Sequence, residues 1–162
     1  MNARILYVEA NQDNCEFVVR DLTDYEITCA GAAEDALLLG RSGSFDLILL
    51  DEHLPGATGI ELCQEIGAHD HVIAILILSG PDDEAMRKRA REAGAQDYWP
   101  TPVDLEAVGQ EIRRLLPVAM RAKQKHQAVE SAGERKCESG LPGGGEGRRD
   151  VSVRDHDSGS AE

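Results

Sequence analysis

Four apolar runs in this chain each lead into a residue able to do chemistry. Residues 5–8 end at Glu9. Residues 45–50, Phe-Asp-Leu-Ile-Leu-Leu, end at Asp51, with Glu52 and His53 behind it. Residues 72–78 end at Ser79, and residues 97–99 carry Tyr98 into Pro100, Thr101 and Pro102. Two carboxylates and a hydroxyl delivered to one crevice could form a small oxyanion site that uses a divalent cation, since a hard cation takes oxygen ligands and a hydroxyl can donate to an anionic oxygen. Each of these residues alone is also an ordinary loop or cap residue. The order of all four carries the reading. No His–nucleophile pair and no cofactor-binding glycine loop appears, so the chain is not expected to be an enzyme beyond chemistry on its own carboxylate.

The elements that position these residues alternate. Helical spacing runs through 11–22 (Cys15, Val18, Val19, Leu22), with Asn11 or Asp13 available as N-cap. It recurs in 32–39, stopping near Gly40, and in 59–66 (Ile60, Leu62, Cys63, Ile66). It also marks 81–93, which opens on a proline and three acids, and 104–116, capped by Asp104. Residues 26–30 add a strand. Five strands then alternate with five helices. Strands that are apolar almost throughout are buried on both faces, which requires a parallel sheet covered on both sides. The expected fold is α/β: a three-layer, doubly wound domain with a five-stranded parallel sheet spanning residues 1–117. A dinucleotide-binding half-domain is disfavoured, because no G-x-G-x-x-G follows the first strand. In doubly wound sheets ligands bind outside the carboxyl ends of the strands, where the four candidate segments end.

Charge restricts the partners. The 162 residues carry 17 basic and 30 acidic side chains, a formal charge of −13. Residues 118–162 hold equal numbers of each sign, so the whole net charge belongs to residues 1–117. An acidic domain is a poor match for nucleic acid or for an anionic membrane surface, so neither is an expected partner. No apolar run approaches the ~20 residues needed to cross a bilayer, and the start of the chain lacks the pattern of a secretory signal, so a cytoplasmic protein is expected. Residues 118–162 are polar and Gly-rich and are expected to be a disordered tail, with a possible short helix at 118–129 after a break at Pro117. Cys15, Cys29, Cys63 and Cys137 form no Cys-x-x-Cys pair. They are expected to be small apolar residues, with Cys137 exposed, in preference to disulfide or metal partners. His69 and His71 lack the surroundings of a metal site.

Three segments carry a resemblance. Residues 45–62, FDLILLDEHLPGATGIEL, resemble the phosphoacceptor strand, Pro-Gly loop and Gly-led helix of the receiver domain of two-component response regulators. Residues 75–80, ILILSG, resemble that family's fourth strand with its terminal hydroxyl, and residues 93–98, AGAQDY, resemble the lead into its fifth strand. The resemblance covers residues 3–116 and implies a flavodoxin-like fold. It implies that Asp51 accepts phosphate from a histidine kinase or phosphotransfer protein. Glu9, Asp51 and the backbone carbonyl of His53 would hold Mg²⁺. Ser79 would bind a phosphoryl oxygen, and Tyr98 would be the switch aromatic. The face of the fourth helix, fifth strand and fifth helix would meet a downstream protein; no output domain follows in this chain.

Two positions depart from the pattern. Ala10 stands where the family has a second acid, and Thr101 stands where it has the lysine before proline. Lys88, the single lysine of residues 1–117, lies in the fourth helix. Two functions therefore stay open: a phosphoaccepting regulator, supported by Asp51, Ser79 and Tyr98, and a phosphorylation-independent pseudo-receiver acting as a fixed-state binding module, supported by Ala10 and Thr101.

Overall fold

A computed structural model describes residues 2–81, 83–102 and 104–137, with the backbone alone for 132–137. Its long strands are β1 (Arg4–Val8), β2 (Glu26–Ala30), β3 (Leu47–Asp51), β6 (Ala74–Ser79) and β7 (Asp97–Pro100). They form one parallel sheet in the order β2-β1-β3-β6-β7. Its helices are α1 (Gln12–Asp21), α2 (Ala33–Gly40), α3 (Gly59–His69), α4 (Glu84–Glu92) and α5 (Leu105–Cys137). The doubly wound α/β architecture expected from the alternation is the one observed.

Strand alternation explains the two covered faces. Leu6, Val8, Ile48, Leu50, Ile75 and Ile77 face one side, where Ala36 of α2, Ile60, Leu62, Cys63 and Ile66 of α3, and Ala90 of α4 pack on them. Ile5, Tyr7, Leu47, Leu49, Leu76 and Leu78 face the other, against Cys15 and Val18 of α1 and Val108, Ile112 and Leu115 of α5. Burying each such aliphatic side chain is worth roughly 1.5–3 kcal/mol, so the central strands anchor the fold.

Local signals start the helices. The Asn11 side chain accepts from the Asp13 N–H at 2.9 Å, and the Asp104 carboxylate accepts from the Glu106 N–H at 2.9 Å. Thr58 and Glu61 form a reciprocal capping box at the start of α3. Around the Pro55-Gly56 turn, β4 (His53–Leu54) and β5 (Ala57–Thr58) pair antiparallel, a short hairpin that the sequence reading did not include. Gly56 takes φ +79°, the left-handed value that the third position of a type II turn requires.

Two expectations fail. The helix does not break at Pro117: α5 runs for 33 residues through it. The proline removes one intrahelical bond at a cost of ~3 kcal/mol, but Leu115, Leu116 and Ala119 are buried on the sheet around it. Farther on, the Lys123 Nζ donates to the carbonyls of Gly43 at 2.9 Å and Phe45 at 2.6 Å, clamping the helix to the α2–β3 loop. Residues 118–129, the possible short helix, and 130–137, assigned from composition to a disordered tail, are therefore both helical and continuous with the helix before Pro117; the rest of that tail lies outside the described residues. The second failure concerns cysteine. Cys15 and Cys29, read as apolar packing residues, form a disulfide between α1 and β2, with Cα atoms 6.4 Å apart. Cys63 is a buried free thiol, as expected of a packing residue, and the side chain of Cys137 lies outside the described residues.

Candidate functional site

The strand order reverses direction between β1 and β3, so their carboxyl ends border a crevice. Val8 pairs with Leu50, which sets Glu9 level with Asp51. Asp51 pairs with Leu78, one residue before Ser79, and Ser79 pairs with Pro100, one residue before Thr101. Register alone brings the four predicted segments to one edge.

Glu9 is held firmly. Its Oε1 accepts from the Asn11 N–H at 2.8 Å, and its Oε2 from the Tyr7 hydroxyl at 3.1 Å and the Asn14 amide at 3.2 Å. Its own N–H donates to the Ala30 carbonyl at 2.9 Å. Tyr7 is buried, and burial, the Glu9 charge and the bond to Glu9 hold its phenol well above the ordinary range, so it stays a donor. Tyr7, Asn11 and Asn14 were missed in the sequence reading. Their spacing around Glu9 was visible, but nothing in it said that their donors converge.

Asp51 is half-buried at the end of β3. Burial pushes its carboxyl above the usual range and the Glu9 charge pushes the same way, against the His53 backbone and side chain and the Glu52 backbone. A desolvated carboxylate beside a second negative charge is a site that welcomes a cation. Glu52, next in sequence, turns the other way. It is buried, and its Oε2 accepts the Ile60 N–H at 3.0 Å at the start of α3. Burial raises its carboxyl, and the Ile60 N–H, His53 and Arg89 oppose that. Gly59 makes the fit possible, since a Cβ there would stand 2.6 Å from the Asp51 carbonyl oxygen and 2.9 Å from the Glu52 Oε2. The His53 side chain is exposed.

Across the crevice, Ser79 is buried at the end of β6. The Thr101 N–H donates to the Ser79 carbonyl and to that of Gly80 at 3.3 Å. Tyr98 is 2 % exposed, packed inward among Ile77, Ala90 and their neighbours, with the Arg87 guanidinium 6.0 Å from its ring centre. Trp99 packs partly on the opposite face, its indole N–H donating to Asp97 at 3.2 Å. Lys88 is exposed on α4 and pairs with Glu92 at 3.9 Å, so it does not replace the missing lysine at position 101.

The family model for the response regulator receiver domain matches residues 5–113. This chain belongs to that family. Among relatives of the receiver domain, the alkaline phosphatase synthesis transcriptional regulatory protein PhoP of Bacillus subtilis is 30% identical over 118 residues, 72% of this chain and 49% of that protein. The response regulator MprA of Mycobacterium bovis is 31% identical over 133 residues, 81% of this chain and 56% of that protein. The chain thus spans about half the length of the curated relatives it matches. A CheY-like receiver domain of Methanospirillum hungatei superposes with a TM-score of 0.70 at 23% identity, covering 75% of this chain and 98% of that one. Receiver domains are signalling modules of two-component systems, not enzymes in general; they work with histidine kinases or phosphotransfer proteins and bind Mg²⁺ at their acidic pocket.

Among the described residues, no group of three or more His, Cys, Asp or Glu side chains stands close enough to hold a metal. The carboxylates of Glu9 and Asp51 stand level with each other at the switch point. That set fits Mg²⁺ as an ion that keeps several of its own waters. Also among the described residues, no helix is long and apolar enough to cross a membrane.

Proposed function

We propose that this receiver domain accepts a phosphoryl group on Asp51 from the phosphohistidine of a kinase or phosphotransfer protein, and signals by protein contact in the cytoplasm. The supporting observation is the placement of the Asp51 carboxylate: half-buried, level with Glu9, at the crevice where the sheet reverses its order. The carboxylate oxygen attacks phosphorus as the nitrogen–phosphorus bond breaks, and the departing imidazole takes up a proton. Such transfer depends mainly on positioning and on neutralising the equatorial oxygens. Glu9, Asp51 and the His53 carbonyl would hold Mg²⁺, which supplies positive charge next to those oxygens. Ser79 offers a hydroxyl, and Thr101 a neutral hydroxyl in place of a lysine ammonium. Tyr98 is already turned inward under Arg87, so the surface of α4, β7 and α5 reads whether Ser79 has been engaged; that surface is the proposed meeting place for a downstream protein, with neither nucleic acid nor membrane as partner.

A second reading has its own support. Glu9 already has three donors on its two oxygens, and positions 10 and 101 lack the acid and the lysine. A module recognised in one fixed state, with Tyr98 permanently inward, needs neither. Intact-protein mass separates the two. The parent, incubated with a small phosphodonor and Mg²⁺ and separately with a phosphohistidine protein, is expected to gain one phosphoryl mass that Asp51→Ala does not. No adduct from either donor sinks the first reading and leaves the second.

A further inference from the structure

We propose that Cys15 and Cys29 are a reversible redox modification site that governs the acceptor crevice through Glu9. The proposal rests on the reading of Glu9 and Asp51 as the acceptor pair.

Three residues outside β1 hold Glu9, and two of them, Asn14 and Ala30, are each the immediate neighbour of one of these cysteines; the third is Asn11, whose N–H donates to the Glu9 Oε1 at 2.8 Å. Asn14, before Cys15, donates to the Glu9 Oε2 at 3.2 Å. Ala30, after Cys29, accepts the Glu9 N–H at 2.9 Å. The disulfide therefore closes a ring from Cys15 through Asn14, Glu9 and Ala30 to Cys29. One hydrogen bond in that ring holds the backbone of Glu9, and the other is one of the three on its carboxylate. With the sulfurs joined, the start of α1 and the end of β2 cannot part without breaking a covalent bond.

The elements it joins need such a tie. β2 is an edge strand with one buried residue of five, and α1 has ten residues with two of them buried, Cys15 and Val18. A helix this short has little stability of its own in water. Once the thiols are free, Asn14 and Ala30 are held to Glu9 by hydrogen bonds from weakly packed elements, which open locally more often than a core does, and the buried Tyr7 is the firm contact that remains.

The sulfurs differ in access. Cys29 is exposed and Cys15 is 6% exposed. A small thiolate attacks the Cys29 sulfur, the Cys15–Cys29 bond breaks, and Cys15 leaves as a thiolate that takes up a proton. A second small thiol resolves the mixed disulfide on Cys29. The protein disulfide thereby gains two electrons and two protons, and two small thiols become one small disulfide. Oxidised glutathione drives the reverse. Cys63 takes no part: it is buried, its Sγ–H donates to the Ala93 carbonyl at 3.5 Å, and burial followed by the Glu52 charge pushes its thiol up to about 11.

The test uses the full chain, treated with oxidised glutathione or with dithiothreitol and freed of reagent, beside Cys15→Ser and Cys29→Ser. Alkylation and peptide mass are expected to show Cys15 and Cys29 blocked only after dithiothreitol. Amide hydrogen exchange across residues 9–15 is expected to be about tenfold slower in the oxidised parent than in the reduced parent, with both serine variants matching the reduced form. Phosphodonor labelling at fixed Mg²⁺ is expected to differ between the oxidised and reduced parent by at least about threefold in initial rate, and not to differ in the variants. Absence of the cross-link after oxidation, or identical exchange in both parent forms, overturns the proposal. Equal labelling rates in a parent whose exchange does differ overturn the coupling to the crevice. No labelling in any form, with the exchange difference intact, counts against the acceptor reading and leaves the latch on Glu9 standing.

Discussion

The two sides of the crevice are built to different standards. On the β1–β3 side the two carboxylates are tied down: three donors hold Glu9, the backbone of His53 bonds the Asp51 carboxylate, and Gly59 leaves the space behind it closed. On the β6–β7 side the groups facing the crevice, Ser79 and Thr101, are neutral, and the cation in reach of Tyr98 is the Arg87 guanidinium on α4. On the proposed reading, the first side would supply the electrostatics of a phosphoryl acceptor, and the second the shape of a switch without the charge that pulls a switch over. Acceptance of phosphate and its readout can therefore weaken independently, and substitutions on each side should separate them.

The largest effect is expected from Asp51→Asn, which should abolish the phosphoryl adduct while leaving the fold intact. Stability supplies a control with a definite sign. Folding raises the Asp51 carboxyl, so the folded state binds more protons and the parent loses stability as pH rises through that raised value. The amide removes this penalty. Urea unfolding should show the variant more stable than the parent at pH 7, with the gain fading as pH falls through the raised value and gone once pH is below the ordinary carboxylate range. A gain that grows toward low pH would mean that the Asp51 charge is favourable in the fold, and the account of the first side would be wrong.

Thr101→Lys acts on the other side and comes next. A hydrogen bond to a charged group is worth ~1.5–3 kcal/mol, so an ammonium at this position should speed adduct formation by roughly ten- to a hundredfold. Initial rates by intact mass measure it. An unchanged rate would mean that the second side does not reach the phosphoryl group at all, and would favour the fixed-state module.

Much of this contrast is legible in the sequence, for identifiable reasons. Residues 45–62 pack an apolar strand, an acid, a Pro-Gly turn and a Gly-led helix into consecutive positions, so local rules suffice to read them. Glu9, Ser79 and Thr101 follow from where apolar runs stop. What could not be read depends on elements meeting across the fold. That α1 lies against the β2 edge, which brings Cys15 to Cys29, is a fact of topology and not of spacing. Pro117 is a helix breaker by local rules, but sheet packing on both sides of it and the Lys123 clamp override them. Glu52 follows Asp51 directly, and nothing in its sequence neighbours shows that its carboxylate turns to the start of α3 to accept the Ile60 N–H.

Gly59→Ala tests that last arrangement. The added methyl would meet the Asp51 carbonyl, and backbone cannot swing aside as a flexible side chain can. Overpacking of this kind typically costs about 1–3 kcal/mol, measured as a lower urea midpoint at unchanged slope. Because the clash falls on the Asp51 backbone, labelling should slow as well. A loss of stability with full labelling would show that the acceptor is insulated from the strand-to-helix connection behind it.

The smallest effect is expected from Arg87→Ala, and it bears most directly on the second side. An arginine over an aromatic face at a partly exposed position contributes about 0.5–1 kcal/mol. Tyr98 is held mainly by burial among Ile77 and Ala90, so loss of the guanidinium–ring contact should itself lower global stability by about that amount. The informative readout is the Tyr98 ring itself. If the guanidinium helps to keep it inward, ring signals in the nuclear magnetic resonance spectrum should broaden or shift in Arg87→Ala before any phosphodonor is added. If they do not move, the ring is locked by the core alone. A ring that the core alone locks has no second position available to it, so phosphate on Asp51 could not be read through Tyr98, and the readout would have to lie in the crevice loops after β3 and β6 instead.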